Sequence, residues 1–391
     1  MTTDPFERAV LLERAGDEAT GAGHYDRAEG LLREALELRR AAGNRIAIAG
    51  AIASLGATLA GIYRTEAALE LLEPALVEFA DLAGESPFIA IGSQLARAYM
   101  LGYQNARAIE VADPVLAAAE HADLVPIIAD TLVTKGTALG ALGRGYEAIG
   151  VINAGRTLAE ANGLSSIVLR AVLNGSTHEG DLRAALASLR AGLALARRLG
   201  RHRQVALIIG NATEPALRLG DWDWALDEAD ALLADEFESV DRALVQGARF
   251  QLRRCRGLPT DQDLAELEAV LAQSTEPNSI SNVLDTHAWD AWVAGRYQDA
   301  FHDFTRLAEL DPSNAPYGYS LAGRAALWNR RLNDAIASLD GLNETGAHRS
   351  SLEAGRRTLE AGIAALDGRP DDAVPLYREA LRAWRELGLV W

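Results

Sequence analysis

A short phrase returns along this chain at nearly constant intervals, and few folds accommodate such a return. It reads Gly23-His24-Tyr25-Asp26-Arg27-Ala28, then Gly145-Tyr146-Glu147-Ala148, Gly220-Asp221-Trp222-Asp223-Trp224-Ala225, Gly295-Arg296-Tyr297-Gln298-Asp299-Ala300 and Gly368-Arg369-Pro370-Asp371-Asp372-Ala373. Each copy combines a turn, an aromatic or apolar residue, an acidic residue and an alanine. Glycine lets the chain leave one helix, the acid suits the positive N-terminal end of the next, and alanine lets two helices approach closely. The phrase therefore predicts a helix–turn–helix hairpin. With alanine as the marker, the series runs Ala28, Ala68, Ala108, Ala148, Ala185, Ala225, Ala265, Ala300, Ala335 and Ala373, at spacings of 40, 40, 40, 37, 40, 40, 35, 35 and 38 residues. A regular period of this size is the mark of stacked supersecondary units.

Other positions keep the same register. A small residue lies twelve before the marker at Gly16, Gly56, Ala96, Gly136, Ala288, Gly323 and Ala361, where the first helix should meet a neighbour. A second lies seven after it at Ala35, Ala75, Gly155, Gly192 and Ala380. These spacings are those of amphipathic helices with one stacked face. Helix ends are expected at Gly43, Gly84, Gly163 and Gly200 and in the turn Asp311-Pro312-Ser313-Asn314. The expectation is an all-α chain with paired helices of about 12 to 18 residues.

This pattern resembles the tetratricopeptide repeat family, in a long variant nearer forty residues per unit, over nearly the whole chain. The resemblance implies a right-handed superhelical solenoid of about ten hairpins. It is read as one body over 1–391, with repeats 1 to 4 in 1–165, repeats 5 to 7 in 166–275, and repeats 8 to 10 with the start of a further helix in 276–391. The pattern departs at Cys255-Arg256-Gly257-Leu258-Pro259, which replaces the expected turn of the seventh unit. A narrower resemblance lies in Leu11-Leu12-Glu13-Arg14-Ala15-Gly16-Asp17-Glu18-Ala19, and in Leu199-Gly200 with Gly210-Asn211-Ala212-Thr213-Glu214. These stretches are similar to the C-terminal repeat regions of bacterial signalling ATPases, including actinobacterial nucleotide cyclase/ATPase fusions and related transcriptional regulators. The run from Trp384 to Trp391 closes one helix and begins another, which fits a part of a larger regulator.

Composition narrows the function. A net charge of −17 repels phosphate backbones and anionic membranes, and Lys135 is the single lysine, so no direct nucleic-acid or membrane partner is expected. One cysteine, Cys255, cannot form an intramolecular disulfide, and the opening residues lack the basic and apolar regions of a signal peptide. The expected location is the cytoplasm. Lys135 is followed by Gly136-Thr137 but preceded by no glycine-rich loop, so it fails as a phosphate-cradling motif. The seven histidines show no spacing suited to zinc, and the acidic run from Asp221 to Asp241 lacks the glycine of a calcium loop. Ser176 and His178 lie two apart, which points them different ways on a helix. Arg253, Arg254 and Arg256 around Cys255 are of a kind that lowers a thiol pKa, although burial as a small core residue is the simpler reading. No catalytic residue, metal or cofactor is expected.

What remains is binding. In a stacked hairpin array the first helices share a groove, and residues four apart share a face. Arg170 and Asn174 have that relation in the fifth unit, and Asn211 takes a comparable place one repeat later. Tetratricopeptide modules often hold extended peptides with asparagines and a basic residue, so these three resemble a partial clamp, with Arg254 following in the next unit. All seven tryptophans lie in the second half, and Trp289, Trp292 and Trp328 either line the groove or fill interhelical packing. The expected partner is a protein or peptide. The resemblance implies a non-catalytic sensor or scaffold, the regulatory C-terminal part of a bacterial signal-transduction protein. The alternatives are a freestanding assembly scaffold, or the tail of a nucleotide cyclase or ATPase whose catalytic domains lie outside these residues.

Overall fold

A computed structural model describes residues 4–234, 239–271, 277–310, 312 and 314–389. Asp311, Ser313, Val390 and Trp391, which belong to segments singled out above, lie outside the described residues. Twenty α-helices and no strand occur among the described residues. The first ten are α1 (Pro5–Gly21), α2 (Tyr25–Ala42), α3 (Arg45–Gly61), α4 (Thr65–Glu78), α5 (Ser86–Leu101), α6 (Asn105–His121), α7 (Val125–Ala141), α8 (Gly145–Ala161), α9 (Ser165–His178) and α10 (Leu182–Arg198). The second ten are α11 (His202–Leu219), α12 (Trp222–Leu233), α13 (Ser239–Cys255), α14 (Asp261–Leu271), α15 (Pro277–Val293), α16 (Tyr297–Leu310), α17 (Ala315–Trp328), α18 (Leu332–Glu344), α19 (Ser350–Leu366) and α20 (Pro370–Glu386). In chain order they make ten helix–turn–helix pairs, the arrangement of a tetratricopeptide-type solenoid. Contacts divide the chain into two compact units, Met1–Gly140 with Tyr146–His178 and Ala194–Val205, and Ala141–Gly145 with Glu179–Leu193 and Ala206–Trp391.

Local chemistry explains the ends. Asp4 caps α1 by accepting from the Phe6 amide at 3.0 Å, with Pro5 at the first helical position. Asn44 caps α3 by accepting from the Ala47 amide at 3.1 Å, directly after Gly43 has closed α2 in the left-handed region at φ 73°. Inside hairpins Gly23 turns with φ 84°. Forty and eighty residues on, the same turn position holds Tyr63 at φ 63° and Tyr103 at φ 60°, a backbone state that side-chain-bearing residues rarely adopt.

The small residues sit where close approach needs them. A Cβ on Gly16 would meet Leu32 at 2.7 Å, one on Gly56 Leu72 at 2.6 Å, and one on Gly136 Ile152 at 2.6 Å. In each case the neighbour lies four residues after the marker alanine, so one register of the two helices recurs. Nine of the ten markers are buried, from Ala28 to Ala373. The exception is Ala265, which is exposed on α14. There the core instead receives Asp263 and Leu267, a shift that follows from the irregular turn after Cys255.

Candidate ligand-binding wall

In each unit, charged and aromatic side chains from the first helices of successive hairpins gather on one wall. In the first unit, Arg170 on α9 forms an ion pair with Asp130 on α7 and donates to the Thr134 hydroxyl, and its Nη2 donates to the Asp130 carbonyl at 3.1 Å. Asn174 Nδ2, one turn along, donates to the Thr137 hydroxyl at 2.9 Å. The two share a helical face, and that face is tied to α7. Arg203 at the start of α11 is buried between the rings of Tyr25 and Tyr63, 5.0 Å and 5.1 Å from their centroids. Arg97 on α5 stands nearby, partly exposed.

The second unit carries Asn211, partly buried on α11, and Arg254 on α13, whose guanidinium pairs with Asp290 on α15 at 3.0 Å. Arg296 takes the other Asp290 oxygen at 2.5 Å. Trp289 is 3% exposed and belongs to the core, its indole N–H donating to the Tyr317 hydroxyl at 2.8 Å. That hydroxyl donates in turn to Asp285 at 2.9 Å. From Trp289 a run of rings leads outward: Trp292 at 6.3 Å, Tyr297 at 5.9 Å from Trp292, and Trp328 at 6.0 Å from Tyr297, stacked and 66% exposed. The Arg324 guanidinium lies 5.5 Å over Trp292. The aromatic run thus has a packed inner end and an open outer end.

Electrostatics mark the same residues. Burial pushes the Asp285 carboxyl up to about 7, Glu214 nearby adds to the rise, and the Tyr317 hydroxyl opposes it. Burial lowers Arg324 to about 10, with Arg218 adding to the fall. Cys255 packs against this aromatic core, and burial pushes its thiol up to about 12, against which the pull of Arg254 is the smaller effect. The arginine-rich surroundings therefore do not yield a reactive thiolate. Ser176 donates to the Leu173 carbonyl at 2.8 Å, an ordinary back-bond within α9, while the His178 ring covers Gly140. Lys135 pairs with Asp113 at 2.5 Å. Among the described residues no group of histidine, cysteine and acidic side chains is placed to hold a metal, and no helix is long and apolar enough to cross a membrane.

Asp285 gives a pH signature. Its folded value of about 7 lies above the ordinary 3.8, so the stability it contributes is full below pH 3.8 and is lost as pH rises through 7. The expected result is a melting temperature that falls from pH 5 to pH 8. In Asp285→Asn, which keeps an acceptor for Tyr317, that slope flattens and stability at pH 8 rises by about 2 kcal/mol. Parallel melting curves for parent and variant across this range would contradict the assignment.

A repeated hairpin stack with a polar and aromatic wall on its first helices places the chain among tetratricopeptide-like helical repeat structures. It is similar to the Rap protein solved in complex with competence and sporulation factor, with a TM-score of 0.54 at 13% identity over 98% of this chain and 99% of that one. It also matches a tetratricopeptide repeat protein from Parabacteroides merdae at 18% identity and a TM-score of 0.37, over 66% of this chain and 96% of that one. At this identity the likeness to the Rap protein is one of fold. No family model and no curated protein matches the sequence.

Sequence reasoning missed Tyr63, Arg97, Arg203, Asp285, Tyr317 and Arg324. A positional signal was present. The residue eleven before each marker is Asp17, Ala57, Arg97, Thr137, Asn174, Glu214, Arg254, Trp289, Arg324 and Gly362 in turn. The residue four earlier is Arg170 in the fifth unit and Asp285 in the eighth. Charged residues at these two positions, inside otherwise small or apolar helix segments, announce the wall.

Proposed function

We propose that the chain is a non-catalytic module that binds a protein or peptide along its first-helix walls and serves as the regulatory part of a bacterial signalling protein in the cytoplasm. The observation that carries this reading is the second-unit wall, where the Arg324 guanidinium over Trp292 adjoins the aromatic run that ends in the open ring of Trp328. Such a surface suits a folded or extended polypeptide, whose backbone and side chains supply donors, acceptors and apolar area. Arg170, Asn174, Asn211 and Arg254 extend the proposed contact set, and the buried Trp289 holds the aromatic run in place. The similar Rap protein, solved with competence and sporulation factor bound, supports a binding role for this type of fold. Attachment to an ATPase or cyclase, and a single array over 1–391, belong to the same proposal and rest on sequence phrasing alone.

The test is selection of ligands from a displayed random peptide library, followed by affinity measurements on the parent, Trp292→Ala and Arg324→Gln. Each substitution is expected to weaken a selected peptide by about 1 kcal/mol or more, because a desolvated ring or guanidinium contact is lost. Arg170→Ala with Asn174→Ala, and Asn211→Ala separately, are expected to cost about 1 kcal/mol for any ligand reaching those residues. Unchanged affinity in all of these folded variants would remove the wall as the binding surface.

A further inference from the structure

Helix α20 keeps three large apolar side chains in the open along one stripe. Val374, Tyr377 and Leu381 follow one another at helical spacing and remain 48%, 45% and 49% exposed. Counted from the marker Ala373 they stand one, four and eight residues on. Earlier hairpins bury the side chains at these offsets: Leu186 and Leu226 at the first, Leu72 and Phe304 at the second, Leu36 and Leu193 at the third. There the first helix of the following hairpin completes the cover, as α3 does where Ile48 and Ile52 share one core with Leu32 and Leu36. On α20 the same pattern lacks that cover among the described residues. The stripe is therefore built for packing.

Helix α1 is built differently. Its outward side carries Glu7, Leu11, Arg14 and Glu18, and the nearby Phe6 ring lies 4.8 Å from the Arg39 guanidinium. A polar outer face of that kind needs no cover.

Charge indicates what fits the stripe on α20. Its solvent border is formed by Asp371, Arg378 and Arg385, one every two turns of the helix. Among the described residues the Asp371, Arg378 and Arg385 side chains form no hydrogen bond and no ion pair. The acid stands at the N-terminal end of this border and a cation at the C-terminal end. A copy of the same helix running antiparallel about Arg378 therefore brings Arg385 level with Asp371, and Leu381 level with Val374. Arg378 itself stands beside the axis, where its long side chain turns out to solvent. The acids and arginines of α20 nearly cancel, so two copies of this helix repel weakly although the whole chain carries −17.

We propose that α20 is a self-association face: two copies of the chain pair antiparallel through Val374, Tyr377 and Leu381, with Asp371 of each copy against Arg385 of the other. Such a contact uses the same patch on both sides and closes at two chains. One helix from each side is a small interface beside the roughly 800 Å² per partner that standard ones bury, so a dissociation constant on the order of 10 μM is expected. Because α20 is the second helix of its hairpin, the proposal stands apart from the first-helix binding wall.

The experiment follows the mass of the full chain by sedimentation velocity from about 1 to 200 μM, a range that brackets this dissociation constant. A shift from one chain to two is expected across it. Leu381→Glu should weaken the dimer at least about tenfold with an unchanged melting temperature, since the side chain is exposed in the single chain. Asp371→Arg and Arg385→Asp should each weaken it by a similar factor, because like charges then face one another twice. An equimolar mixture of these two variants should restore the dimer, because each then meets its opposite. A single-chain mass throughout, a ladder of larger species from head-to-tail contacts, an undiminished dimer in Leu381→Glu, or a mixture no more dimeric than its components would each overturn the proposal.

Discussion

Arginine in place of Ala148 is expected to destabilise the chain by about 3 kcal/mol or more, measured by chemical denaturation. Ala148 is fully buried, and its carbonyl lies 3.0 Å from where a Cβ on Gly136 would stand. Helices α7 and α8 touch there with no space for a longer side chain. Overpacking and the desolvation of an unpaired guanidinium act together, and neither helix can yield without disturbing its contact with the next. Arginine in place of Ala265 is expected to change stability by less than about 0.5 kcal/mol, because that alanine is exposed. The two alanines hold equivalent places in the sequence period, so the contrast tests the seventh hairpin's shifted register. Equal effects would return Ala265 to the core.

Alanine in place of Asp263 is expected to cost about 3 kcal/mol. The carboxylate is 6% exposed and faces two guanidinium groups on α13, pairing with Arg249 and, at 3.5 Å, with Arg253. Removing one partner of a buried ionic group leaves the others desolvated and uncompensated, which costs more than the intact pair contributes. Arg249 keeps Asp230 at 3.3 Å and Arg253 keeps the Pro259 carbonyl at 3.1 Å, which places the loss at the lower end for buried pairs. A loss below about 0.5 kcal/mol would mean that the ion network does not hold this hairpin.

The period was legible because hairpin packing imposes it. Gly16, Gly56 and Gly136 stand where a methyl group would collide with Leu32, Leu72 and Ile152, so substitution is disfavoured and the spacing survives in the text of the chain. The seventh hairpin was not legible in the same way. A polar residue, Asp263, enters the core there on the strength of Arg249 and Arg253, and an apolar pattern does not encode a buried ion network. The turns at Tyr63 and Tyr103 escaped for a similar reason, because a search for turn glycines passes over a tyrosine held in the left-handed region.

The wall was half legible. Arg170 and Asn174 are four apart on one helix, so their common face follows from helical geometry. Arg97 and Arg203 lie on helices separated by three hairpin pairs in the chain, and only stacking brings them together. Asp285 and Tyr317 meet across α15 and α17 in the same manner. Counting backward from the marker alanine turns that stacking into a sequence rule, and the rule gathers Arg97, Asn174, Arg254, Trp289 and Arg324 at one offset.

The central claim is that the first helices carry the binding surface, and a photo-crosslinking footprint tests it most directly. A peptide selected on the parent chain is fitted with a photoreactive group, crosslinked, and its attachment points are read by mass spectrometry. Adducts are expected on α11, α15 and α17, around Asp285, Trp292 and Arg324. Adducts confined to the second helices α12, α16 and α18 would contradict the account, because those helices contribute only Tyr297, a link in the aromatic run, to the side chains on which it rests.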